Sequence, residues 1–308
     1  MCDIWKGNQN LKQLDESDIR GLLNTFKKYQ TQQVVMSGGE ALLNPNFFRF
    51  CEILKGQKIK ISLLSTGLTI KKNAELLAEW VDDIIVSLDG DEALHDAIRN
   101  IPGAFKKLKE GIESLRAINP YIKISGRCVI QRLNFRHWPG IIRAAKEIGL
   151  DSISFLPADV SSTAFNRELV WAEDRQQEIL LRESELEELR MILGEILDNF
   201  TNEFKNRFIA ETPQKLQKIF YYYAAYYGLN EFPFKKCNAP WVSTVIEADG
   251  TIRPCFFHKA YGNIKMGSLD SIINSESAIE FRKNLDMDKN ETCLKCVCYL
   301  NLKPAVKI

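Results

Sequence analysis

VVMSGGEALLNPNF (34–47) reads as a short β-branched, apolar strand that runs straight into Ser37–Gly38–Gly39–Glu40 and then into a turn at Asn44–Pro45. Two adjacent glycines at the C-terminal end of a strand let the backbone approach a ligand without obstruction by Cβ. Glu40 places a carboxylate at the same rim, where it can accept hydrogen bonds from an ammonium group. On its own the segment favours the plainer reading, a tight strand-to-helix turn with a solvated glutamate. Its neighbours in the chain decide between the two.

Working outward, runs of the same kind recur. Strands are expected at QVVMS (33–37), KIKISLLS (58–65), DIIVSLD (83–89), YIKISGRCVI (121–130) and DSISFLP (151–157). Helices are expected between them at 17–29, 73–80, 104–118 and 139–150. This is the rhythm of βα units feeding a parallel sheet whose two faces are both covered. The repeat stops short of the ~250 residues of an eight-unit barrel. The α/β class therefore resolves into a partial (β/α)6 barrel or a doubly wound sheet, which periodicity alone does not separate. From Ser184 the pattern turns helical, with Ser184 and Glu187 as a capping box. Leu186, Leu189, Leu193, Ile196, Leu197 and Phe200 fall on one face. NRFIAE (206–211) is a candidate sixth strand. A second helix is expected from Thr212–Pro213 to Gly228, with proline opening it and glycine closing it. Beyond about Phe232 the text is loop-rich, with one hairpin turning at Asp249–Gly250 in STVIEADGTIRPC.

The 308 residues, 45% hydrophobic and 26% charged, suit one large and one small globular domain. A formal net charge of +1 supplies no global field for nucleic acid or an anionic membrane. No apolar run approaches ~18 residues, and MCDIWKGNQN has no apolar signal core, so no membrane partner and a cytoplasmic location are expected. Eight cysteines in that setting should remain thiols. Five of them, Cys237, Cys255, Cys293, Cys296 and Cys298, crowd the last quarter, as metal ligands do. By spacing alone, zinc and an iron–sulfur cluster fit them equally. Cys51 and Cys128 sit in helix and strand contexts and read as small buried hydrophobes. The aromatic run Phe220–Tyr223 with Tyr226 and Tyr227 reads first as packing, and His95 and His137 as structural. His258 reads as a local hydrogen-bonding residue.

MCDIWK followed by MSGGEALLNPNF resembles the opening of the radical S-adenosylmethionine family, as do STGL (65–68), VSLDG (86–90), HDAIRNIPGAF (95–105) and a fourth strand carrying Arg127 and Asn134. That family opens with Cys-x3-Cys-x2-Cys, whose thiolates hold three irons of a 4Fe–4S cluster and leave the fourth for S-adenosylmethionine. The resemblance makes Cys2 the third cysteine and the catalytic cluster ligand. Gly38, Gly39 and Glu40 become the holders of the methionine amino group, and Ser65, Ser87, Asp89 and Arg127 further cofactor contacts. Only Met1 precedes Cys2, so the other two cysteines are expected upstream of a misplaced start, and the chain as written should assemble the catalytic cluster poorly or not at all.

CNAPWVSTVIEADGTIRPCFFH (237–258) and YGNIKMGSLDSIINSESAIEFR (261–282) likewise resemble the SPASM or twitch extension. The resemblance implies one auxiliary 4Fe–4S cluster on Cys237, Cys255, Cys293 and Cys296, with Cys298 spare or alternative. It divides the chain into a core over 1–212 and a linker helix with iron–sulfur domain over 213–308. The implied activity is reductive cleavage of S-adenosylmethionine to a 5′-deoxyadenosyl radical that takes hydrogen from a peptide, protein side chain or small molecule. A flavodoxin or ferredoxin is the implied electron donor. The competing reading is a non-catalytic iron–sulfur or zinc protein that has lost the first cluster.

Overall fold

The computed structural model describes residues 12–164, 167 and 169–303. Five parallel strands, β1 (Gln33–Met36), β2 (Lys60–Ser65), β3 (Asp83–Ser87), β4 (Lys123–Ile130) and β5 (Ser152–Pro157), lie in sequence order across one sheet. A doubly wound sheet must reverse its strand order at a switch point. This one never does, so it is wound in one direction, as a barrel is. The sixth strand is reduced to a single parallel bridge, Ile153 to Ile209, framed by Ile153 N–H to Phe208 O (2.7 Å) and Ala210 N–H to Ile153 O (2.9 Å). The barrel is therefore open.

Helices α1 (Glu16–Lys28), α2 (Phe47–Lys55), α3 (Ala74–Trp80), α4 (Glu92–Arg99), α5 (Ala104–Ile118) and α6 (Trp138–Glu147) cover the outer face. Ile61, Leu63, Ile84, Val86, Ile124, Cys128, Ile130 and Ile153, all fully buried, point at them. The alternate positions point the other way and are mixed: Ser62, Ser87, Ser125, Arg127, Ser152 and Ser154 are small or polar, while Leu64, Ile85, Val129 and Leu156 are apolar. The strands are thus not apolar on both faces. The inner face of an open barrel meets solvent or ligand rather than a packed core, and its side chains follow.

The chain continues through α7 (Glu173–Ile179), α8 (Leu186–Asn199), α9 (Thr201–Lys205) and α10 (Pro213–Ala225). The cap ahead of α8 lies two residues earlier than Ser184–Glu187 suggests: Glu185 accepts the Arg182 backbone N–H at 2.8 Å while also pairing with Arg136. Thr212 caps α10 by accepting Lys215 N–H, with Pro213 in its first turn. Tyr222 and Tyr223 are fully buried and pin α10 to the sheet. Tyr222 donates to Ala158 O at 3.1 Å, and Tyr223 donates to Ile130 O while accepting Ala158 N–H at 3.0 Å. The aromatic run is packing.

The C-terminal module is slighter. It holds α11 (Ala239–Val242), a three-stranded antiparallel sheet of β6 (Val245–Ile246), β7 (Thr251–Arg253) and β8 (Gly262–Asn263), then α12 (Leu269–Ile273), α13 (Glu276–Asn284) and α14 (Glu291–Leu294). The hairpin turns at Gly250, whose φ of +87° requires glycine. The module is clamped to α1: Asp270 takes Lys28 at 2.8 Å and the Tyr29 hydroxyl at 2.6 Å, and Lys265 pairs with Asp18. No helix among the described residues is long and apolar enough to cross a membrane.

Candidate active site and cysteine centre

At the C-terminal end of β1 the chain leaves the sheet through Gly38, whose φ is +137°, and Gly39; both are exposed. Glu40 then folds back onto the end of β2. Its Oε2 accepts Thr66 N–H (2.9 Å), Thr66 Oγ1 (2.6 Å) and Ser65 Oγ (3.0 Å), while its Oε1 has Ser65 Oγ alone at 3.1 Å. A carboxylate oxygen takes about two hydrogen bonds, so Oε1 keeps room for a further donor. Ser65 in turn accepts Gly67 N–H at 3.0 Å. Gly67 has φ +89°, and a Cβ there would lie 2.5 Å from Leu108 Cδ1 of α5, so the STGL turn depends on glycine. Glu40 and Ser65 are brought together, and Ser65 and Thr66 jointly orient Glu40.

Ser87 and Arg127 face one another as register partners on β3 and β4. Asp89 does not join them. Its carboxylate is 1% exposed and pairs with Arg99 of α4 at 2.6 Å, behind the rim. Its backbone N–H donates to His95 Nδ1 at 3.2 Å. Burial pushes His95 down to about 4, which keeps it neutral. Asn134, in the turn after β4 rather than on the strand, donates to Asp89 O and Val129 O, both at 3.1 Å. This cluster locks the ends of β3 and β4 together. Cys2 lies outside the described residues.

The five C-terminal cysteines line one cavity of about 50 Å³, shared with His258 and Lys235. Burial pushes the thiol of Cys255 up, that of Cys293 to about 11 and that of Cys296 to about 12. These are protonated thiols that become thiolates when a metal takes them. His258 Nε2 lies 3.3 Å from Cys293 Sγ, so the histidine serves the cysteine site directly. Among the described residues no three His, Cys, Asp or Glu side chains are grouped tightly enough to hold a metal ion. Cys51 and Cys128 are fully buried elsewhere, their thiols pushed up by desolvation.

A second cavity, of about 140 Å³, adjoins the first. Arg127 and Ser154 of the inner face, Glu211, Lys215 and Lys218 of α10, and Lys235 line it, with Cys296 and Cys298 in its wall. Glu211 is 8% exposed, accepts Phe155 N–H at 3.0 Å, and is pushed up by burial. Sequence reading missed this site, because its residues come from five separate stretches of chain.

Comparison with known proteins agrees with this architecture. The radical SAM superfamily model matches residues 1–145, and the model of SPASM, an iron–sulfur cluster-binding domain, matches 237–297. The AdoMet-dependent heme synthase of Oleidesulfovibrio alaskensis is 25% identical over 44% of this chain and 36% of its own. The antilisterial bacteriocin subtilosin biosynthesis protein AlbA of Bacillus subtilis is 23% identical over 85% of this chain and 53% of its own. The chain thus spans about a third to a half of the length of the curated relatives it matches. Native anSMEcpe with bound AdoMet superposes with a TM-score of 0.63 at 17% identity, covering 92% of this chain and 80% of that one. Streptococcus suis SuiB bound to precursor peptide SuiA gives 0.59 at 16%, covering 91% and 62%. The chain belongs to the radical S-adenosylmethionine superfamily and carries a SPASM domain after its open barrel.

Proposed function

We propose that this protein cleaves S-adenosylmethionine reductively and uses the product to modify a peptide or protein side chain. The observation that carries this reading is that Cys296 and Cys298 line both cavities. The cysteine site and the barrel's inner face therefore share a wall. Relatives that point to a peptide are AlbA, a bacteriocin biosynthesis protein, and SuiB, solved with its precursor peptide.

The residues present fit the groups this chemistry needs. Gly38 and Gly39 leave the rim of β1 bare, and Glu40 Oε1 retains acceptor capacity for the cofactor's ammonium. Ser65 and Thr66 hold Glu40 in place, and Ser87 and Arg127 offer a hydroxyl and a guanidinium on the inner face for the cofactor's ribose and carboxylate. We assign Cys2 to the catalytic cluster with two further cysteines of the trio. We assign Cys237, Cys255, Cys293 and Cys296 to the auxiliary cluster, with Cys298 as the alternative ligand. His258 orients Cys293 and hydrogen-bonds its sulfur, a contact of the kind that tunes cluster potentials. When bound, the catalytic cluster and S-adenosylmethionine supply a 5′-deoxyadenosyl radical that abstracts substrate hydrogen; the protein supplies binding, orientation and dryness. A flavodoxin or ferredoxin is the proposed donor.

The test is anaerobic turnover of protein carrying the complete cysteine trio, read as 5′-deoxyadenosine and methionine. Glu40→Ala should leave the iron content unchanged and weaken S-adenosylmethionine binding about tenfold or more, since a charge-assisted hydrogen bond is worth ~1.5–3 kcal/mol. Normal binding and cleavage by Glu40→Ala would remove the assignment of this rim.

A further inference from the structure

The larger cavity is more than a gap between barrel and cysteine module. Its charged lining is lopsided. Four cations, Arg127, Lys215, Lys218 and Lys235, surround one carboxylate, Glu211. The whole chain is near neutral at +1, so the excess is local. We propose that this cavity is a subsite for a carboxylate on the substrate, which selects peptides with an acidic side chain next to the modified residue. The inference rests on the peptide reading above and names the class of peptide.

Three observations support it. Lys215 and Lys218 lie one turn apart on α10, so both project from one face of that helix. Their charges are only partly engaged: Lys215 Nζ pairs with Glu211 at the long distance of 3.9 Å, and Lys218 Nζ gives one of its three donors to Phe234 O at 2.8 Å. Glu211 is the single carboxylate of the lining, and its Oε2 already accepts Phe155 N–H at 3.0 Å. The space is adequate as well. About 140 Å³ compares with the ~10–15 Å³ that one ordered water needs, which leaves room for a side chain with its carboxylate. Lys215 and Lys218 are the cations left for the substrate, since Arg127, offered above to the cofactor, only bounds the cavity at its inner end and Lys235 bounds it at the cysteine end.

The experiment uses the full chain with its auxiliary cluster reconstituted. Two capped probes, acetyl-Ala-Glu-Ala-amide and acetyl-Ala-Gln-Ala-amide, are titrated calorimetrically at about 50 mM and about 300 mM salt. The acidic probe should bind about tenfold or more tightly at low salt, and the margin should shrink as salt rises. Lys215→Gln should narrow the margin, and Lys215→Gln with Lys218→Gln should erase it. Thermal melting of each variant reports that it is folded. Equal binding of the two probes, failure of the acidic probe to saturate, or a margin that survives the double substitution would each overturn the proposal. So would a shift in the cluster's potential in the double variant with no probe preference in the parent, because the lysines would then serve the cluster alone. Peptide-dependent cleavage of S-adenosylmethionine is followed separately. A charge preference without such cleavage removes the peptide reading and leaves the subsite, while cleavage indifferent to acid or amide removes the subsite.

Discussion

The barrel and the cysteine module are built on different amounts of side-chain packing. The barrel's strands run four to eight residues, and their outer faces feed a continuous buried core that takes in residues of α1, α2, α3, α5, α6, α7, α8 and α10 and reaches Ile252 and Leu269 of the module. The module's strands are two, three and two residues long, and among the described residues from Cys237 onward only Ala239, Ile252, Phe257, Leu269 and Ala278 are buried hydrophobics. Short strands with so little apolar burial do not hold themselves. Five cysteines stand where the missing core would be. The barrel folds by hydrophobic burial, whereas in the module a cluster held by these thiols would contribute folding energy outright.

The sharpest way to break this contrast is to remove a ligand. Cys255→Ser or Cys237→Ser should abolish the auxiliary cluster and render residues beyond about 236 protease-sensitive, while the barrel keeps its melting transition. Iron content and limited proteolysis read both. Cys298→Ser, on the exposed thiol, should cost less iron than Cys293→Ser. If the apo module resists proteolysis as the holo form does, the two regions are not built differently. Inside the barrel the corresponding weak point is steric. Gly67→Ala forces a Cβ against Leu108 at φ +89° and should destabilise the barrel by roughly 3 kcal/mol, with the auxiliary cluster retained. Denaturant unfolding measures it, and a loss below about 1 kcal/mol would show that α5 yields.

A smaller effect separates the regions by pH. His95 titrates near 4 in the fold against about 6.5 unfolded. The unfolded chain therefore gains a proton first, and barrel stability should fall between pH 6.5 and 4 by at most roughly 3 kcal/mol, then level off. His95→Gln should flatten that slope in a pH series of urea melts. An unchanged slope would place the acid sensitivity elsewhere.

Much of this was legible in the sequence. The βα rhythm, the Asp249–Gly250 hairpin, the glycine-marked rim and the five late cysteines are local signals, each carried by neighbours in the chain. Strand polarity was legible too, and was misread: Ser125 and Arg127 alternate with Ile124 and Cys128, which marks an open inner face rather than a strand covered on both sides. Asp89 looked like a rim residue because its partner, Arg99, reaches it only once α4 is folded. The lysine-lined cavity had no local signal, since it joins β4, β5, α10 and the cysteine segment.

The clamp of Asp270 and Lys265 on α1 has a consequence for protein engineering. SPASM modules look transplantable, as cassettes joined by a single helix. Here the cassette is also registered against the first helix of the barrel through Asp18, Lys28 and Tyr29. A chimera that moves the module to a foreign barrel without that face would carry the cysteine cavity out of register with the sheet. That register, not the fold of either part, would be the property lost.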